Sequence, residues 1–128
     1  MMDQKTRVLV IDDEPGVLRF IKISLSSVNF DVITSTNGEE GLKLARSQTP
    51  DIILLDLVMD PLDGFEVLSK LREFSTTPVI IFTARNDLGT VAVENGANSY
   101  ISKPFRPDQL IKLIKEVLDS KTPDSLHA

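Results

Sequence analysis

The sequence predicts an α/β fold: a doubly wound parallel sheet of five strands with helices on both faces. Three observations carry that expectation. Five short runs rich in β-branched and other apolar residues alternate with five segments of helical spacing. The first, third and fourth runs are apolar almost throughout, as strands covered on both faces are. The loops between runs are short, and strict strand–helix alternation then resolves as crossovers within one parallel sheet.

Taken in order, strands are expected at residues 7–11, 30–35, 51–55, 79–82 and 99–102. The second carries Asp31 and Thr34 and is expected at an edge. Leu18, Ile21, Leu25 and Val28 share one face of the first helix. Leu42 and Ala45 share a face of the second, and Phe65, Leu68 and Leu71 a face of the third. Asn37 followed by Glu40 has the form of a capping box opening the second helix. The fourth helix, over residues 86–95, holds Gly89, Thr90 and Val91 and few strong helix formers, so it is expected to be short or irregular. The fifth is the clearest. It opens at Pro107, a residue suited to the first helical position, and lines up Leu110, Ile114 and Val117, with Ile111 and Leu118 beside them. Residues 119–128 turn polar and are expected to leave a domain of residues 1–118 as a frayed end or linker; His127, the single histidine, falls there.

The 128 residues suit one domain with a substantial core. Apolar residues make up 41% and charged residues 26%, too apolar a balance for a disordered chain. No cysteine is present, which excludes disulfides and thiolate metal sites. The opening residues lack an apolar stretch that would serve as a secretory signal, and runs such as Ile52-Ile53-Leu54-Leu55 are far too short to span a bilayer. A cytoplasmic location without membrane contact is expected. The net charge of −5 opposes direct contact with nucleic acid.

Ligands of doubly wound sheets sit beyond the carboxyl ends of the strands, where strand order reverses. Those ends carry a distinctive set: Asp12-Asp13-Glu14 after the first strand, Asp56 after the third, Thr83 after the fourth and Lys103 after the fifth. If the first and third strands flank the reversal, their carboxylates meet in one acidic pocket. Crowded carboxylates repel, so such a pocket calls for a cation or a lysine. Mg2+ suits it, being a hard ion that takes one or two carboxylates and completes its shell with water and phosphate oxygen. Thr83 and Lys103 then suit a phosphoryl group, and an aspartate can itself be the nucleophile. Each residue alone also has a plainer reading. Asp12 or Asp13 would cap the first helix, Asp56 would be a turn aspartate, Thr83 a strand-end residue and Lys103 a solvated lysine. What weighs against the plain readings is their co-location at four separate strand ends.

Val8-Leu9-Val10-Ile11-Asp12-Asp13-Glu14, Ile53-Leu54-Leu55-Asp56-Leu57, Ile81-Phe82-Thr83-Ala84 and Gly96-Ala97-Asn98-Ser99-Tyr100-Ile101-Ser102-Lys103-Pro104-Phe105 closely resemble the bacterial two-component response-regulator receiver domain. Each motif is weak alone; the four in this order and spacing are specific. The resemblance implies a flavodoxin-like sheet of order 2-1-3-4-5. It implies that Asp56 is the phosphoacceptor, that Asp13 binds Mg2+ directly and Asp12 through water, and that the Val58 carbonyl completes the metal site. Thr83 resembles the switch hydroxyl, Lys103 the family's ammonium, and Tyr100 the aromatic that swings inward. Ala84 is small, which leaves the phosphate reachable, and Lys103–Pro104 is expected to be a cis peptide. The implied function is a Mg2+-dependent switch that takes a phosphoryl group from a sensor histidine kinase and slowly hydrolyses it. It is not a turnover enzyme. Its implied outlet is the face of the fourth helix, fifth strand and fifth helix, toward an output domain or downstream protein, with a homodimer possible on phosphorylation.

Two features depart from the family pattern. After Asp56 the chain runs Met59-Asp60-Pro61-Leu62-Asp63-Gly64, which displaces the proline by one and adds the carboxylate of Asp60 near the rim. The stretch from Thr83 to Lys103 is also shorter than usual by about half a helical turn. Three other functions compete. An aspartate-nucleophile phosphohydrolase lacks its second aspartate here. A nucleotide-binding Rossmann-type domain lacks its glycine loop at Asp12-Asp13-Glu14-Pro15-Gly16. The third is a degenerate receiver that binds partners without phosphorylation.

Overall fold

The computed structural model describes residues 5–59 and 61–120. Five strands and five helices alternate: β1 (Arg7–Ile11), α1 (Pro15–Ser26), β2 (Asp31–Ser35), α2 (Gly38–Gln48), β3 (Ile52–Asp56), α3 (Gly64–Arg72), β4 (Val79–Thr83), α4 (Asn86–Glu94), β5 (Ser99–Ser102) and α5 (Pro107–Ser120). The strands form one parallel sheet in the order β2-β1-β3-β4-β5. That is the predicted doubly wound, flavodoxin-like architecture.

Strand side chains alternate between faces, and the two sets build two cores. Val8, Val10, Ile52, Leu54, Ile80 and Phe82 point toward α1 and α5, meeting Leu18, Ile21, Leu25, Leu110, Ile114 and Val117. Leu9, Ile11, Ile53, Leu55 and Ile81 point the other way, onto Val67, Leu68, Leu71 and Ala92 of α3 and α4. Leu42 and Ala45 of α2 pack against the same face. Each fully buried Leu or Ile contributes on the order of 1.5–3 kcal/mol, and the three central strands, buried on both faces, form the middle of both cores. The polar β2 lies at one edge as expected, and β5, half-buried along its length, forms the other.

Several details differ from the sequence reading, for local reasons. Helix α1 ends at Ser26, and Asn29 turns into the left-handed region at φ 74°, so Val28 sits past the helix and is exposed rather than on its buried face. At α2 only half of the capping box forms. Asn37 accepts from the Glu40 N–H at 2.8 Å, but the Glu40 carboxylate takes the Ser35 hydroxyl instead of the Asn37 N–H. A complete box appears at α3, where Asp63 and Glu66 exchange both bonds. Helix α4 is short, nine residues long, and regular, which meets the expectation of a short or irregular helix through its length. Helix α5 continues through Asp119 and Ser120, the first two residues of the expected polar tail. Asp60, His127 and the rest of the tail from residue 121 lie outside the described residues.

Candidate functional site

The site sits at the carboxyl edge of the sheet, where β1 and β3 are neighbours and the chain order reverses. Asp12 follows β1 directly and is fully buried; its N–H is donated to Ser35 O and its Oδ1 accepts the Glu14 N–H at 2.9 Å. Asp13 points out beside it and is exposed. Asp56 is the last residue of β3 and is 4% exposed. Carboxylate oxygens of Asp12, Asp13 and Asp56 all lie within 4.8 Å of one another. The start of α3 presses closely on this strand end. A Cβ on Gly64 would stand 2.6 Å from Leu57 Cα, so only glycine fits there.

Lys103 reaches in from the end of β5. Its ammonium lies 3.4 Å from both Asp12 Oδ2 and Asp56 Oδ1, bridging the two buried carboxylates. It also stands 4.9 Å above the Phe82 ring. Phe82 and Phe105 meet edge to face at 6.2 Å, which pins the chain just beyond Lys103. The Lys103–Pro104 peptide is cis. Thr83 closes β4; it is buried, and its Oγ1 accepts the Arg85 N–H at 3.0 Å.

These residues surround an open pocket of about 480 Å3, lined by Asp13, Glu14, Asp56, Val58, Thr83, Ala84, Arg85 and Lys103. Asp12 lies beneath its floor. Val58 stands on the rim, 65% exposed, and its N–H is donated to Asp56 Oδ1 at 3.4 Å. Pro104 lines a neighbouring apolar cavity with Val17, Phe20, Ala84, Lys103 and Phe105. Tyr100 is apart from the pocket: it is half-buried, with its ring against Gly89 of α4. Glu14 and Arg85 were not singled out as site residues from the sequence. Glu14 ends the acidic run after the first strand and Arg85 directly follows the Ile81-Phe82-Thr83-Ala84 motif, which was the available signal.

Burial pushes Asp56 up to about 6, and the Asp12 charge adds to that; Lys103 and the Val58 N–H oppose it. Burial also raises Asp12, against the Glu14 N–H and Lys103. Two desolvated carboxylates that repel each other, with a third at the mouth, make a donor set suited to a small hard cation. The open side of the pocket carries a hydroxyl and an ammonium, the groups that bind a phosphoryl oxygen. Among the described residues, no helix is long and apolar enough to cross a membrane.

Comparison with known proteins gives a consistent result. The family model described as "Response regulator receiver domain" matches residues 8–115. The "Probable transcriptional regulator ycf27" of Porphyridium aerugineum is 41% identical over 90% of this chain and 49% of its own length. "Transcriptional regulatory protein KdpE" of Mycobacterium tuberculosis is 38% identical over 91% of this chain and 53% of its own length. The chain thus spans about half the length of the curated relatives it matches. Among solved structures, the receiver domain of Francisella response regulator 1452 superposes with a TM-score of 0.85 at 30% identity, covering 92% of this chain and all of that one. The fold, the strand-end site and the family match agree, and the chain belongs to the response regulator receiver domains of two-component systems.

Proposed function

We propose that this domain is a phosphorylation-controlled switch that accepts a phosphoryl group on Asp56 from a sensor histidine kinase. The observation that carries this reading is the Lys103 ammonium held 3.4 Å from both Asp12 and Asp56 at the base of an open pocket. In the transfer, Asp56 attacks phosphorus, the bond from phosphorus to the donor imidazole nitrogen breaks, and an acyl phosphate forms. Asp12, Asp13, Asp56 and the Val58 carbonyl would hold Mg2+, which when bound offsets the charge on the phosphoryl oxygens. Lys103 neutralises charge on one side, and Thr83 donates its hydroxyl on the other. Ala84, exposed at the mouth, leaves room for the incoming donor. Slow attack by water then returns the free carboxylate, so the domain times a signal and turns over no substrate of its own.

Movement of Thr83 onto the phosphoryl group and of Tyr100 inward would pass the change to the face of α4, β5 and α5. There an output domain, a downstream protein or a second copy of this domain would read it. The half-length match to transcriptional regulators supports an output domain. The net charge of −5 argues that nucleic-acid contact is left to that output. Receipt of phosphoryl groups from a kinase supports a cytoplasmic location.

The test is incubation with a small phosphodonor, followed by intact-mass measurement. One phosphoryl group should be added in the presence of Mg2+, none after chelation, and none to Asp56→Asn. Equal labelling of Asp56→Asn would sink the assignment.

A further inference from the structure

Helix α4 has a glycine at its centre, and three contacts tie that helix to the strand ends beside it. At its start the Arg85 N–H is donated to Thr83 Oγ1 at 3.0 Å. Asn86 pairs with the Ser102 hydroxyl of β5. One turn on, Gly89 is buried against Tyr100: a Cβ built there would stand 2.6 Å from the ring Cγ and 2.8 Å from Cε2. The backbone itself does not call for glycine at this position. Gly89 is helical, and the positive-φ residues among those described are Asn29, Thr49 and Gly96. What calls for glycine is the space the ring fills. A rigid ring cannot deform around a new methyl group, so any side chain at residue 89 obliges Tyr100 to turn away or α4 to lift.

We infer that Gly89 is a positioning residue of the switch, the seat that holds the Tyr100 ring between α4 and β5. The inference rests on the phosphorylation reading of Asp56 for its consequence, not for its geometry. Drawing Thr83 toward a phosphoryl group disturbs the bond to the Arg85 N–H at the first turn of α4. The ring seated one turn further along the same helix then shifts with it. Helix and aromatic move together because no side chain separates them.

The test has a sign that plain helix propensity does not give. Alanine ordinarily stabilises a helix interior relative to glycine. Gly16 of α1 supplies the control, since nothing lies within 4 Å of a Cβ there. Tyr100 is the single tyrosine in a chain without tryptophan, so its emission and its quenching by acrylamide report this ring alone.

In the full chain, Gly16→Ala should raise Tm and leave Tyr100 quenching unchanged. Gly89→Ala should lower Tm and raise the quenching constant severalfold. It should also abolish the emission change that phosphodonor and Mg2+ produce in the parent, while phosphoryl incorporation by mass persists. In a Tyr100→Ala background, Gly89→Ala should instead raise Tm, a reversal that can be read even if the single variant folds poorly. The seat is overturned if Gly89→Ala raises Tm in the parent or leaves quenching unchanged. It is equally overturned if the variant lowers Tm as much without the ring as with it. Absence of phosphoryl incorporation in the parent counts against the Asp56 reading, and the Tm reversal then judges the seat by itself.

Discussion

The role proposed for Asp56 sets opposing demands: a nucleophilic carboxylate must be ionised, yet this one is buried 3.4 Å from the ammonium it shares with Asp12. Its native pKa of about 6 exceeds the unfolded value of 3.8, so the native state holds this proton more tightly. The stabilising effect of protonation is therefore fully present below 3.8 and is lost as pH rises through about 6. In the chelated protein, Tm should fall as pH is raised from 5 to 7.5. Asp56→Asn should raise stability near neutral pH by on the order of 1–3 kcal/mol and flatten that dependence. A flat profile in the parent protein would contradict the assignment. Lys103→Met removes the bridging charge and should destabilise the chelated protein by about 1.5–3 kcal/mol, which denaturant titration would measure. The two aspartates that follow β1 differ as well. Asp13 lines the pocket, whereas Asp12 lies below it, committed to Lys103 and the Glu14 N–H. Mg2+ titration should show Asp13→Asn weakening binding more than Asp12→Asn, and the reverse order would exchange their roles.

Elements hold the site in place through a few polar anchors. Arg72 at the end of α3 donates to the carbonyls of Gly96, Ser75 and Thr77 and to Asn98 Oδ1, at 2.8–3.2 Å. It thereby joins α3 to the entry of β4 and to the loop that leads into β5. Arg72→Ala should cost about 2 kcal/mol by leaving those acceptors without their charged donor, and urea unfolding would show it. Asp63→Ala, which breaks the box opening α3, should cost about 1 kcal/mol. The strands and their closing residues were legible in the sequence because central strands of a parallel sheet are buried on both faces and read as short continuous apolar runs, each ended by a polar residue. Gly89 was legible only as a local weakness. A sequence shows what glycine costs a helix, but not the aromatic ring that approaches from another element. The full capping box at Asp63 and Glu66 fits the same pattern that was read at Asn37 and Glu40. It was overlooked beside the displaced Pro61, while at Asn37 a competing hydroxyl from Ser35 took half the motif.

At the scale of the molecule, the site exists only because distant segments meet. Asp12, Asp56, Thr83 and Lys103 close four different strands, and the β2-β1-β3-β4-β5 order brings those ends together at one edge. The acidic pocket was legible because parallel strands all deliver their carboxyl ends to the same side. The place of Tyr100, outside that pocket and against α4, was not, since it depends on how one helix rests on an edge strand. Central strands β1, β3 and β4 are buried almost throughout, whereas β5 is half-buried and α4 exposes Val91 and Val93. Amide exchange should therefore find the slowest sites in the central strands and a lower opening free energy in α4 and β5. Phosphorylation should change protection at α4 and Tyr100. Change confined to the residues around Asp56 would mean that this domain signals through another surface.

The most direct test of the account is to locate the phosphoryl group chemically. An acyl phosphate is reduced by borohydride to an alcohol with loss of phosphate, which turns the modified aspartate into homoserine and marks it permanently. After phosphodonor and Mg2+, peptide mass mapping should find that conversion at Asp56 and at no other aspartate. Conversion at Asp12 or Asp13, or a stable phosphoryl group on a serine or threonine with Asp56 unchanged, would contradict it.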